Sequence, residues 1–359
     1  MRAPRVALVG PSGSGKTALA GRLLARYGGL TPLALEDAKR DAEVLGAEDP
    51  YALLLDEGLD ERKRRMTLRA KLTGPLELGV SLIDTPGAVS RLAELCAMLP
   101  LTDAAIVVLK ADGPAGKAAE LARPYIELLR LAQVEILGLA LTHRGRREEA
   151  EELAKKLAAD LRLEAVAVDL SKGYDASIEK LLRRARVRRR PEEPMRAVVL
   201  TLLESGVLIC AIASGRQSTD DEVLVAPAYR IGRVEVIEIE GRPVKQAIAG
   251  DDVGILLAGV GRQYIKRGSL LGDVERPPRR LKELSCELTL DMGASERRAL
   301  LCCVHAAQVQ CKVEKASDGV LRLAPTSPLS AEPHDMIPEL GTIILHDNER
   351  ILGIGRLVA

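Results

Sequence analysis

The chain contains no phenylalanine and no tryptophan, and its six tyrosines are its only aromatic residues. Its cores must therefore be aliphatic, and a stacking platform for single-stranded nucleic acid, which needs exposed rings, is not expected. Charge of one sign is not in excess either: 52 basic residues face 51 acidic ones, for a net charge of +1. Any contact with a polyanion has to come from a local patch. No apolar run approaches the ~18 residues of a membrane span, and the opening MRAPRVALVG reaches a glycine-rich stretch before a signal-peptide core could form. The expectation is a cytoplasmic protein with no membrane contact. The six cysteines include no C-x-x-C pair, so neither a disulfide framework nor a short zinc clamp is indicated. Cys302, Cys303, His305 and Cys311 lie on alternating apolar runs and read as core residues.

What is present is a chain of 359 residues, 47% hydrophobic and 29% charged, long enough for two or three domains with their own cores. Val6 to Val9, Val80 to Ile83, Ala104 to Leu109, Val134 to Leu141 and Ala165 to Leu170 read as buried strands. Such continuous apolar runs point to an α/β domain with a parallel sheet flanked by helices. Between the last two lies Glu148 to Leu161, where Leu153, Leu157 and Leu161 recur at i+4 beside Ala150, Ala154 and Ala158, one apolar stripe on a charged helix. The arginine-rich RRARVRRR (183–190) and Pro191 and Pro194 end this pattern, placing a boundary near 192. The arginines read as a solvated helix end and linker, with contact to RNA phosphates as the alternative. Beyond it, short runs split by turn residues (VVLTLL, VLICAI, EVLVAP, RVEVIEIEG, DDVGILLAGV) suggest a small antiparallel β-barrel over 193–279. After the Pro277-Pro278 break, SCELTL, QVQCKV, VLRLAP, GTIILHD and ILGIGRLVA suggest a second over 280–359.

Two motifs carry chemistry. GPSGSGKT, Gly10 to Thr17, follows the first strand, opens a helical run and satisfies G-x-x-x-x-G-K-[ST]. In such a loop the backbone N–H groups of Gly10, Ser12, Gly13, Ser14 and Gly15 wrap a β-phosphate, Lys16 neutralises charge between β and γ, and the Thr17 hydroxyl ligates Mg²⁺. IDTPG (83–87) closes another strong strand, with Asp84 placed as a second metal-site carboxylate and the Gly87 N–H placed against a γ-phosphate. Alone it is ordinary loop chemistry; its order after the first motif gives it meaning.

With ERKRRMT (61–67), KADGP (110–114) and AIAGDDVGILLAGVGRQYIKRGSLLGD (247–273), the sequence resembles translational GTPases of the elongation factor Tu class over nearly its whole length. Within that class CCVHAAQVQCKV and the closing ILGIGRLV look most like the selenocysteine-specific elongation factor, suggesting a divergent archaeal-type paralogue. The resemblance implies GTP and GDP as ligands, Mg²⁺ as cofactor, and Thr67 as the first-switch threonine on the metal, although 61–67 also reads as a solvated charged loop. It implies aminoacyl-tRNA as partner, the ribosome beside it, and no DNA. The chain ends at its second barrel, so the hairpin-reading extension of bacterial selenocysteine factors is not expected.

Departures from the family pattern bear on activity. The histidine that follows D-x-P-G is replaced by Ala88, which has no hydrogen-bonding side chain, so slow or lost hydrolysis is expected. In place of the guanine-reading N-K-x-D stand Thr142, His143, Arg144 and Gly145. No carboxylate remains there for the guanine N1 and N2 hydrogens, while His143 or Arg144 could stack on the base. The same loop reads equally as a polar helix entry without ligand contact. Of three family anchors for the tRNA 5′ end, two align with Ala93 and Glu94 and only Arg267 is retained. The sequence therefore predicts a GTP-binding, aminoacyl-tRNA-binding elongation-factor-like protein. A catalytically degenerate tRNA-binding or regulatory module, and an ATP-using P-loop protein, are the alternatives.

Overall fold

The computed structural model describes residues 3–28, 32–46, 49–55, 71–74, 76–171, 176–188, 190–317 and 319–358. The chain divides into two compact units. The first comprises Met1–Leu95, Thr102–Arg130 and Val134–Val187; the second comprises Cys96–Leu101, Leu131–Gln133 and Arg188–Ala359.

The order of elements over the first half is β1 (Arg5–Val9), α1 (Lys16–Tyr27), α2 (Pro32–Leu45), β2 (Lys71–Leu72), β3 (Ser81–Asp84), α3 (Leu92–Met98), β4 (Ala104–Lys110), α4 (Ala115–Leu131), β5 (Glu135–His143), α5 (Arg147–Leu161), β6 (Ala165–Asp169) and α6 (Ala176–Leu182). The strands form one sheet in the order β2-β3-β1-β4-β5-β6. All pairings are parallel except that β2 runs antiparallel to β3, with Lys71 opposite Asp84. The five expected strands are all present; the short edge strand β2, with a two-residue sequence KL, has no period to read. Every residue of β1 and β3 is buried, as the uninterrupted apolar runs require of a sheet covered on both faces. Val6 and Leu8 of β1 join Ala18, Leu19 and Leu23 of α1 and Ile178 and Leu181 of α6 in one core cluster. The expected helix over Glu148 to Leu161 is α5, which buries Ala150, Leu153, Ala154 and Leu157.

Chain order fixes where a ligand can enter. From β1 the chain reaches β3 on one side of it and then β4 on the other, so the carboxyl end of β1 is the point where the winding reverses. Open α/β sheets bind ligands in the crevice at such a point.

The second unit holds two closed antiparallel rings. In the first, β7 (Arg196–Leu202), β8 (Leu208–Ser214), β10 (Glu222–Ala226), β11 (Arg230–Ile239), β14 (Asp252–Ala258) and β15 (Leu270–Asp273) pair in the order β10-β15-β7-β8-β14-β11, and β11 returns to β10. Three short strands attach to or accompany it: β9 (Arg216–Ser218) pairs with β13 (Gln246–Ile248), and β12 (Arg242–Val244) extends β11. In the second ring, β17 (Leu284–Asp291), β18 (Ala299–Val304), β19 (Ala307–Ser317), β20 (Val320–Pro325), β22 (Thr342–His346) and β23 (Ile351–Leu357) close in the order β17-β20-β19-β18-β22-β23. The short pair β16 (Arg280–Leu281) and β21 (Leu329–Ser330) and the single turn α7 (Pro338–Gly341) complete it. As the missing large aromatics require, the barrel cores are aliphatic residues and thiols: Cys286, Cys302 and Cys311 pack with Leu284, Leu300, Leu323 and Ile343. All six cysteines are free and buried. Burial pushes the Cys96 and Cys286 thiols up to about 12, which keeps them un-ionised at neutral pH. No helix of the described residues is long and apolar enough to cross a membrane.

Candidate functional site

The Gly10 to Thr17 loop leaves the carboxyl end of β1 and turns directly into α1. Gly15, the residue before the helix, has φ +86°, and a Cβ there would lie 3.1 Å from Thr142 Oγ1 and 2.9 Å from Leu170 Cδ1. Conformation and space both select glycine. No acidic residue occupies the first turn of α1, so its free N–H groups and dipole are left to attract an anion.

Lys16 is buried, and its ammonium donates to the carbonyls of Gly10 (2.9 Å) and Pro11 (2.8 Å) and, at 3.5 Å, to Ser14 Oγ. Burial lowers its pKa to about 8, while the charge of Asp84 pulls the other way. Asp84 ends β3 fully buried, and Thr17 Oγ1 donates to its Oδ2 at 2.8 Å. A hydroxyl and a carboxylate at that separation, both hard oxygen donors, suit Mg²⁺. The turn after β3 is pinned by Thr85 Oγ1, which donates to the Leu8 carbonyl at 2.7 Å. It brings Gly87 so close to the phosphate loop that a Cβ there would lie 2.5 Å from Lys16 Nζ and 2.6 Å from the Ser12 nitrogen. Two motifs some seventy residues apart thus converge on one crevice. Ala88 follows at its rim, half-buried. Thr67 and the rest of ERKRRMT lie outside the described residues.

The end of β5 and the residues after it form the neighbouring wall. Thr142 Oγ1 donates to the Ser14 carbonyl at 2.7 Å, with the Leu109 carbonyl at 3.3 Å, so its place beside the phosphate loop is fixed. His143 is buried with Nδ1 4.0 Å from Asp169 Oδ1. That oxygen accepts from the backbone N–H (2.9 Å) and hydroxyl (2.6 Å) of Ser171. Burial would raise the Asp169 pKa, but these hydrogen bonds together hold the carboxyl below its ordinary value. Arg144 Nη2 donates to Asp49 Oδ2 at 2.6 Å. Asp49 also takes Arg22 Nη1 on both oxygens (3.0 and 2.9 Å) and the Tyr51 N–H at 3.1 Å. The Arg22 guanidinium lies 4.5 Å from the Tyr51 ring centroid and donates to the Leu170 carbonyl. Sequence reasoning missed Arg22, Asp49 and Tyr51, because no motif marks them and Asp49 stands 95 residues from Arg144.

The remaining expected residues lie elsewhere. Arg267 belongs to the second unit, where it is exposed and donates from Nη1 to the Leu200 carbonyl at 2.7 Å. Ala93 and Glu94 lie in α3. The arginine run is not a bare solvated linker: Arg183 pairs with Glu179, Arg184 with Glu164, and Arg188 with Glu339 at 2.7 Å, while Arg190 donates to Gln133 Oε1 at 2.8 Å. Among the described residues, Tyr229 and Tyr264 are each 40% exposed, and the Arg230 guanidinium lies 4.8 Å from the Tyr264 ring centroid.

Comparison with known proteins places this geometry. Residues 1–140 match the elongation factor Tu GTP binding domain. Elongation factor 1-alpha of Pyrobaculum calidifontis is 23% identical over 98% of this chain and 94% of its own length. Among solved structures, the GTPase-like domain of S. cerevisiae Ski7 bound to GTP superposes with a TM-score of 0.75 at 14% identity, covering 100% of this chain and 98% of that one. The bacterial selenocysteine-specific elongation factor EF-Sec superposes with a TM-score of 0.69 at 19% identity over 99% of this chain, which spans 58% of that factor's length. Residues 1–140 thus match a GTP binding domain of the elongation factor Tu type, and over nearly its whole length the chain is similar to elongation factor 1-alpha.

Proposed function

We propose that the chain is a three-domain nucleotide switch that binds aminoacyl-tRNA in its triphosphate form and hydrolyses GTP slowly or not at all, a divergent archaeal-type paralogue of the selenocysteine-specific factor. Its domains are a G domain over 1–192 and barrels over 193–279 and 280–359. The observation that carries the reading is the convergence of Lys16, Thr17, Asp84 and Gly87 on one crevice. Gly10, Ser12, Gly13, Ser14 and Gly15 would present N–H groups to the phosphates, and Lys16 would trade its loop carbonyls for phosphate oxygens. Thr17 and Asp84, with Thr67, would hold Mg²⁺, which when bound neutralises charge on the β and γ oxygens. Gly87 would offer its N–H to the γ-phosphate, ordering the loop around it by contacts that GDP cannot make. Thr142 and His143 would border the base, and Arg267 would meet a tRNA phosphate. The cytoplasm is the proposed compartment and the ribosome a proposed partner.

Slow hydrolysis rests on Ala88: a water-orienting side chain is worth about 10² to 10⁴ in rate, and alanine provides none. The test is retention of aminoacyl-tRNA by protein loaded with a non-hydrolysable GTP analogue, with GDP-loaded protein as control. Equal retention in both states defeats the switch. The second reading, a module that binds tRNA with nucleotide as a structural ligand, is favoured by the same Ala88. Phosphate release that stays at background with and without ribosomes selects it; ribosome-stimulated release selects the factor.

A further inference from the structure

The base-side wall of the crevice carries a feature that the phosphate chemistry does not use. Thr142 ties this wall to Ser14 of the phosphate loop, so a nucleotide whose phosphates lie on Gly10 to Thr17 must direct its base along 142–145 and 169–171, the next chain outward at the carboxyl edge of the sheet. Among the described residues there, the carboxylates are Asp49 and Asp169, and both are engaged by the chain itself. Asp49 receives both arginines and the Tyr51 N–H, and Asp169 receives Ser171. Gly145 offers no side chain. Arg144 instead presents a cation at the rim. Its side chain is 47% exposed and it is anchored at 2.6 Å to an Asp49 carboxylate that is only 11% exposed and gripped by a buried Arg22. An arginine held at one end by a carboxylate and half exposed is pre-organised for stacking on a π-face, which every purine has.

We propose that Arg144, positioned by the Asp49–Arg22 pair, holds the nucleobase by cation–π stacking in place of a guanine-reading carboxylate, so that the site accepts adenine and hypoxanthine nucleotides nearly as well as guanine ones. The inference rests on the nucleotide site proposed above and deepens it. A pocket that stacks but offers no free carboxylate to N1 and N2 leaves no carboxylate unpaired when the wrong purine enters, and so loses that means of rejection.

The experiment is calorimetric titration of the full chain with GTP, ATP, ITP and inorganic tripolyphosphate, each with Mg²⁺, for the wild type, Arg144→Ala, Arg144→Lys and Asp49→Asn. The three purine nucleotides should bind the wild type within about tenfold of one another. Arg144→Ala should weaken all three by roughly tenfold and leave tripolyphosphate unchanged. Arg144→Lys, which keeps the charge but not the plane, should fail to restore them, and Asp49→Asn should weaken all three by a smaller common factor. A preference for GTP above tenfold, full rescue by lysine, or an equal loss of tripolyphosphate affinity overturns the inference while the phosphate site stands. Failure of both GTP and tripolyphosphate to bind the wild type removes the site reading itself.

Discussion

Thr142 Oγ1 donates to the Ser14 carbonyl at 2.7 Å, joining the end of β5 to the phosphate loop across 128 residues of sequence. Both residues are buried, so the hydroxyl fixes the distance between the phosphate-binding motif and the end of β5 proposed to border the base. Thr142→Val keeps the shape and removes the donor. Loss of about 1 kcal/mol of stability is expected, with a several-fold weaker GTP affinity because the loop must then be ordered by the ligand. Denaturant midpoints and nucleotide titration measure the two; an affinity equal to wild type would show that the loop holds its shape unaided.

Lys16 gives the site a pH signature. Its pKa in the free fold is about 8 against an ordinary 10.5, because burial disfavours the ammonium. Bound polyphosphate restores the charged form, so GTP binding above pH 8 takes up protons, and affinity falls as pH rises from about 8 toward 10. Titrations in buffers of different ionisation enthalpy should show proton uptake at pH 9 and much less at pH 7. The folded ligand-free protein shows the opposite trend: its share of stability from Lys16 is reduced below pH 8 and recovers between 8 and 10.5, since the unfolded chain binds the extra proton there.

Gly87→Ala tests the closeness of the two motifs. The added methyl meets Lys16 Nζ and the Ser12 nitrogen at 2.5 and 2.6 Å, so the turn must move away from the phosphate loop. At least a tenfold loss of GTP affinity is expected with a smaller loss for GDP, if Gly87 faces the γ-phosphate. Equal losses for both nucleotides would place Gly87 away from that group.

In the second barrel His305 is fully buried, with Nε2 2.7 Å from the Ser330 carbonyl, and burial lowers its pKa to about 4. The unfolded imidazole titrates at its ordinary 6.5, so stability is intact above that value and is lost as pH falls from 6.5 through 4, by up to about 3 kcal/mol. His305→Gln should flatten this acid limb in urea denaturation at pH 4.5 relative to pH 7. An unchanged limb would assign it to other groups.

The phosphate loop and Asp84 were legible in the sequence because each is a contiguous motif whose residue types follow from one ligand's chemistry. The strands of the parallel sheet were legible because burial on both faces leaves an unbroken apolar run. The cysteines of β18, with the sequence ALLCCV, were legible as core because they lie on an apolar run without the short paired spacing of a metal clamp, and they are buried. The fate of the arginine run was illegible: Arg188 finds its partner Glu339 151 residues away, and no local pattern encodes such a pairing. The same holds for Arg22, Asp49 and Arg144, which meet only because Gly21 lets the 49–55 segment approach α1 so nearly that a Cβ would sit 1.9 Å from the Tyr51 carbonyl.

Ring closure in both barrels leaves each of their principal strands bonded on two sides. A strand with both neighbours in place offers no row of vacant amides to template a stray polypeptide. Self-association by strand addition would have to begin at the margins of the open sheet, β2 or β6, or at the short appended strands such as β12. Polymerisation at high concentration should therefore be governed by the margins of the open sheet and by these appended strands, while the closed rings themselves stay inert until one is broken.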